Sequence, residues 1–196
     1  MMTTDNRPQT AKSITTPLSP ETIAELRAGD AVRISGTVYT TRDASAKRLS
    51  ADLRAGTPPI TLEGQLIFYM GPTPARPGHV IGAAGPTTSR RMDVYVPDML
   101  SHGVKAFMGK GRRSAQTRNV MQASGAVYLA AVGGVGALLA RHIGEATVAA
   151  YPELGPEAIY RLVLDDFPAI VADDIYGGDI YEEEWPKWTS SPTAAS

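Results

Sequence analysis

The chain contains no cysteine. That removes disulfides, a cysteine nucleophile and any thiolate-held zinc or iron–sulfur site within it. Histidine is nearly as scarce: His79, His102 and His142 fall on unlike elements, and a metal site made by this chain alone is not expected. No stretch reaches the ~20 apolar residues of a membrane span. Charge of one sign is also lacking, since 19 Lys and Arg against 20 Asp and Glu leave a net charge of -1. Nothing in that balance pulls the protein toward nucleic acid or a membrane. The polar opening, Met1 to Thr16, does not resemble a secretory signal, so the expected address is the cytoplasm.

Turn formers, in contrast, are plentiful, with 19 Gly and 15 Pro in 196 residues of which 43% are hydrophobic. This describes a globular α/β chain with one sizeable core. The expected organisation is a flexible leader over 1–16, a single domain over 17–182 and a polar tail over 183–196. In that tail Trp185 and Trp188 are either mobile or lie on a partner.

Periodicity supplies the elements. Ser19 caps a short helix through Leu26. Ala31 to Thr40 alternates as a strand interrupted at Gly36 by a bulge or a close backbone approach. A helix over Ala44 to Ala55 stops at Gly56, ahead of Pro58 and Pro59. Gln65 to Met70 and His79 to Ala84 read as buried strands that could pair as a hairpin, Val104 to Met108 and Ala126 to Val132 as two more. Helices are predicted from about Ser114 to Ala123 and from Ala137 to Ile143. A final β section takes in Val148 to Tyr151, Ile159 to Leu164 and Ala169 to Ala172. The pattern predicts a sheet covered by helices on one side, with additional strands on the other.

The most informative stretch is Gly85-Pro-Thr-Thr-Ser-Arg-Arg-Met-Asp93, a strand-to-helix turn. Thr87 or Thr88 is the natural N-cap, and Met92, Tyr95, Val96, Met99 and Leu100 recur on one helix face, with Pro97 kinking the helix or ending its first part. Arg90 and Arg91 sit in the first turn, where the helix dipole disfavours cations. An anion nearby would account for them. Two further strand-to-helix turns carry cations, Arg42 after the Ala31–Thr40 strand and Lys110 in Gly109-Lys-Gly-Arg-Arg-Ser114. Ligands of open α/β sheets gather at such turns, and two arginines, a lysine and a threonine hydroxyl suit a small dianion. Gly109–Ser114 lacks phosphate-loop spacing, and Gly133-Gly-Val-Gly136 is explained by tight packing. Asp165-Asp166 and Asp173-Asp174 sit beside turns, where turn chemistry is the better reading.

Five segments carry a resemblance: Gly36-Thr-Val-Tyr-Thr-Thr-Arg-Asp-Ala-Ser-Ala-Lys-Arg48, Gly85 to Asp93, Gly109 to Ser114, Tyr151-Pro-Glu-Leu-Gly155 and Asp166-Phe-Pro168. Over roughly Leu18 to Tyr181 the chain resembles the C-terminal domain of class I fumarases and the β subunit of tartrate dehydratase. The resemblance implies a swivelling three-layer β/β/α domain of an iron–sulfur hydro-lyase. It also implies a partner α subunit whose three cysteines hold a 4Fe-4S cluster, so that this chain binds no metal itself. One cluster iron acts as a Lewis acid on the substrate hydroxyl while a base removes the proton next to a carboxylate.

Matched by motif, Thr87 is the proposed base, Arg42 and Arg91 bind substrate carboxylates, and Lys110 is the lysine of the Lys-Gly motif. The family usually has histidine where this chain has Ala46. The implied reaction is reversible hydration of fumarate to malate, favoured by Gly111-Arg-Arg-Ser114. The alternatives are dehydration of L-tartrate or a methyl-substituted dicarboxylate, or a non-catalytic module that binds dicarboxylates. The expected assembly is a hetero-oligomer, with self-association of the β-type chain allowed for.

Overall fold

The computed structural model describes residues 11–183, so Trp185, Trp188 and both extreme ends lie outside the described residues. Seven strands among those residues form one sheet. They are β1 (Lys12–Thr16), β2 (Ala31–Thr41), β3 (Leu66–Tyr69), β4 (Ala106–Gly109), β5 (Val127–Ala130), β6 (Ile143–Ala150) and β7 (Ile159–Asp173). β1 to β5 pair in parallel in chain order. β7 runs antiparallel to β5, β2 and β6. Because β7 bonds both β5 and β2, strands β2, β3, β4, β5 and β7 close into a five-stranded ring, with β1 and β6 outside it.

The apolar runs read as strands are buried on both faces, as parallel strands are. Leu66, Phe68, Ala106, Met108, Val127 and Leu129 point into the ring, where they meet Ile34, Val38, Leu162, Phe167 and Val171. Phe68 and Phe167 meet edge to face with centroids 5.5 Å apart. The alternate residues Ile67, Tyr69, Phe107 and Tyr128 point outward into a second core. That core is covered by α2 (Asp43–Arg54), α3 (Val96–Leu100) and α4 (Ala115–Ala123), through Leu49, Leu53, Met99 and Met121. Two shorter helices are α1 (Pro20–Ala24) and α5 (Gly136–Leu139). None is long and apolar enough to cross a membrane among the described residues.

The interruption expected at Gly36 is present as a register shift between Ile34 and Gly36. Gly36 has φ +107°, and a Cβ there would stand 2.5 Å from the Thr16 carbonyl of β1. Only glycine fits that approach. Six expectations are corrected. Lys12–Thr16, assigned to the leader, is β1: Ile14 and Thr16 alternate into the core beside β2. His79 to Ala84 is not a strand, and Val80 is 51% exposed. It loops back on Thr73, whose hydroxyl accepts from Ala83 N at 2.8 Å, because the prolines around it cannot donate to a ladder. The hairpin reduces to one antiparallel bridge, Met70 to Pro86.

The helix expected to reach Ile143 stops at Leu139, passes through one 3-10 turn, and gives way to β6, which pairs along β7. Ile159 to Leu164 and Ala169 to Ala172 are one strand, bent where Asp166 takes φ +51°. After Thr88 the chain forms a 3-10 helix (Ser89–Tyr95) rather than an α-helix, and Pro97 opens α3, where its missing N–H costs nothing.

Candidate functional site

The parallel strands β2 to β5 all leave the sheet at one edge. There β2 delivers Arg42, β3 delivers Gly71, β4 delivers Lys110 and β5 delivers the Gly133–Gly136 turn. The segment Pro86–Ser89 is laid between the exits of β3 and β4 by backbone hydrogen bonds. Thr87 N donates to Tyr69 O (2.7 Å), Lys110 N to Thr87 O (3.1 Å) and Ser89 N to Lys110 O (3.0 Å). Thr88 and Lys110 form a parallel bridge. Thr87 and Lys110 are therefore adjacent although 23 positions apart. Behind them Ala84 N donates to Gly136 O at 2.9 Å, and the Lys110 stem passes Gly133.

Arg42 is the N-cap of α2, its amide held by Ser45 Oγ at 2.9 Å. Its side chain lies along Gly71, where a Cβ would come 2.6 Å from Arg42 Cδ. Nη2 is 3.7 Å from Glu157, and Nε is buried without a hydrogen-bond partner. Arg91 reaches Asp43, the residue after Arg42, at 3.0 Å, with the two side chains 50% and 46% exposed. A pair so exposed is worth ~0–1 kcal/mol, weak enough for a competing anion to displace. The anion that answers Arg91 within the chain is thus a side chain rather than a helix terminus, and Thr88, the N-cap, makes no side-chain capping bond. Thr87 is half-buried, and Lys110 is exposed. Thus Thr87, Lys110 and the two arginines are brought to one edge of the sheet, with the backbone of Thr87 tied directly to that of Lys110.

Beneath this rim lies a polar group not foreseen from sequence. The Arg113 side chain is wholly buried, with Nε 2.8 Å from Asp93 Oδ1. Its guanidinium carbon stands 5.1, 5.8 and 5.2 Å from the ring centroids of Tyr69, Phe107 and Tyr128. Tyr128 donates to Gly111 O at 2.8 Å, which leaves its oxygen to accept from Ser89 Oγ, also at 2.8 Å. Burial pushes both tyrosine phenols up, so they stay neutral. Residue type gave one usable signal: of two adjacent arginines in a glycine loop flanked by outward-facing aromatics, one is free to turn in.

Three of the remaining sequence candidates have structural explanations. Asp174 accepts from Tyr176 N and Gly178 N (2.8 and 2.9 Å) and from Ala28 N (2.9 Å), which is turn chemistry. His102 and His142 each bond a carbonyl, of Asp98 at 2.9 Å and Asp165 at 3.0 Å. Among the described residues no three His, Cys, Asp or Glu side chains stand close enough to hold a metal ion.

The mixed α/β domain gathers hydroxyl, ammonium and guanidinium groups at the edge where its parallel strands end, groups whose chemistry suits a small anion. Comparison narrows it. The fumarase C-terminus family matches residues 2–184. Fumarate hydratase 2 of Leishmania major is 35% identical over 164 residues, 82% of this chain and 29% of that protein. The anaerobic class I fumarate hydratase of Escherichia coli is 37% identical over 153 residues, 76% of this chain and 28% of that protein. A Methanocaldococcus jannaschii protein named for an L(+)-tartrate dehydratase subunit beta is 35% identical over 173 residues, 85% of this chain and 89% of that one. The chain belongs to the fumarase C-terminal family. It spans about a third of the length of the fumarate hydratases it matches.

Proposed function

We propose that this chain is the β-type half of an iron–sulfur hydro-lyase that interconverts fumarate and malate, completed by a separate cluster-bearing α subunit. The observation that carries the reading is the contact of Thr87 with Lys110 through a 3.1 Å backbone bond, on the edge where Arg91 meets the residue after Arg42. Arg42 and Arg91 each offer a planar fork to a carboxylate, and Lys110 adds a mobile point charge. The dicarboxylate is thereby held across the rim with its reacting carbons over Thr87.

Thr87 Oγ1 receives the proton from the carbon beside a carboxylate in dehydration and returns it in hydration. A threonine oxygen is a poor base in water, and the cations around it favour its alkoxide form once a partner closes over the rim. The chain's donor set does not fit a cluster, since it has no cysteine and no close group of metal-ligating side chains among the described residues. In this reading the cluster belongs to the partner subunit. In the assembly, the helix layer, strands β3 to β5 and the opposing β2–β7 wall are the three layers of a swivelling β/β/α unit. The M. jannaschii relative, matched along 89% of its length, supports a second substrate reading, L-tartrate.

The test is anaerobic co-expression with a cysteine-bearing α-type chain, cluster reconstitution, and assay with fumarate, malate and tartrate. Arg91→Ala should cut turnover by about a hundred-fold, through loss of a bidentate charged pair, and leave the circular dichroism spectrum unchanged. Hydration of fumarate at enzymatic rates by this chain alone and metal-free would refute the divided site.

A further inference from the structure

Among the described residues the guanidinium of Arg113 is shut away from solvent. Burying a cation costs several kcal/mol, and buried ion pairs are often replaced by apolar groups without loss of stability, so stability does not account for Arg113. Its connections do. Asp93, in the 3-10 helix that carries Arg90 and Arg91, pairs its charge with Arg113 Nε, 2.8 Å from Oδ1 but outside hydrogen-bond geometry, and accepts from Ser114 N with Oδ2 at 2.9 Å. Tyr128, in β5, makes the second tie between the same two segments, from Ser89 on one side to the Gly111 carbonyl on the other. The Ser89–Asp93 segment and the Lys110–Ser114 loop are thus joined twice from below. Three rings from three neighbouring strands surround the guanidinium, and the strands fix their spacing.

We infer that Arg113, together with Asp93 and Tyr128, is a positioning unit that fixes Lys110 against Thr87 and Arg91, an inference that rests on the hydro-lyase reading of the rim. Arg113 touches no substrate. It acts by denying the Lys110 loop a second arrangement, and loss of alignment by about 1 Å can cost on the order of a hundred-fold in rate.

Tyr128→Phe is the least invasive probe, removing one hydroxyl and both of its bonds while keeping the ring. In the cluster-loaded assembly it should lower kcat/KM for fumarate about ten-fold. Combined with Lys110→Met, it should add no further loss, because groups that act through one another are not additive. Hydrogen exchange at the amides of Ser89, Lys110 and Ser114 should quicken about ten-fold while the β5 amides stay protected. Arg113→Lys should recover part of the activity that Arg113→Met loses; if neither folds, Tyr128→Phe alone decides. Additive losses for Tyr128→Phe and Lys110→Met, or unchanged exchange at those amides, overturn the positioning role and leave the hydro-lyase reading standing. No turnover of any dicarboxylate by the unaltered assembly overturns that reading and the positioning role with it.

Discussion

Replacing Gly71 by alanine tests whether the seat of Arg42 matters separately from its charge. The added methyl would stand 2.6 Å from Arg42 Cδ and 2.5 Å from the Pro156 carbonyl. Carbon atoms rest at about 3.5–4.0 Å, so the arginine stem must retreat by roughly 1 Å and the Pro156 segment must give as well. Overpacking of this kind costs about 1–3 kcal/mol, which in a domain of this size lowers Tm by about 2–12 °C. The displaced guanidinium also loses its register with a substrate carboxylate. A charge-assisted bond is worth about 1.5–3 kcal/mol, so KM for fumarate should rise about 10- to 150-fold. Thermal melting and steady-state hydration of fumarate by the assembled enzyme read the two effects independently. A KM within two-fold of the unaltered protein, alongside a lowered Tm, would show that Arg42 does not bind substrate from this seat. An unchanged Tm would show that the close approach at Gly71 is not there.

Two further predictions concern stability. Phe107→Ala empties a site stacked on Tyr69 at 5.8 Å and facing Arg113, and should cost about 3–5 kcal/mol, read as a large drop in denaturation midpoint. Burial, reinforced by the charge of Asp179, raises the Asp173 carboxyl to about 7. The native state then holds more protons than the unfolded chain between about pH 4 and 7, so stability falls as pH rises through that window. Asp173→Asn should match the unaltered protein in Tm at pH 4 and exceed it by about 10 °C at pH 8; parallel curves across the window would refute the assignment.

Local chemistry was readable wherever a few neighbouring residues decide it. Ser19 caps its helix through Thr22 N, a helix begins at Ser114, α2 ends before Gly56, and β2 breaks at Gly36. The cationic turns were readable for the same reason, since strand ends and helix starts leave local signatures. What escaped depends on distant partners. His79 to Ala84 is apolar enough for a strand, but no strand stands beside it. β7 looked like two strands because Asp166 interrupts its pattern, whereas pairing with β2 on both sides of the bend makes it one. Arg113 looked like its neighbour Arg112, and only the meeting of Tyr69, Phe107 and Tyr128 from three strands distinguishes the two.

The closure of the ring by β7 has a consequence for biosynthesis. A nascent chain that has released β2 to β5 holds an arch with bare hydrogen-bonding edges at both ends, and the segment that covers them, 159–173, is made some thirty residues later. Until that segment arrives, the arch can recruit the edge of another copy. Ribosome stalling or proteolysis ahead of Ile159 therefore yields a sticky fragment rather than a smaller working domain, and quality control has a clear target.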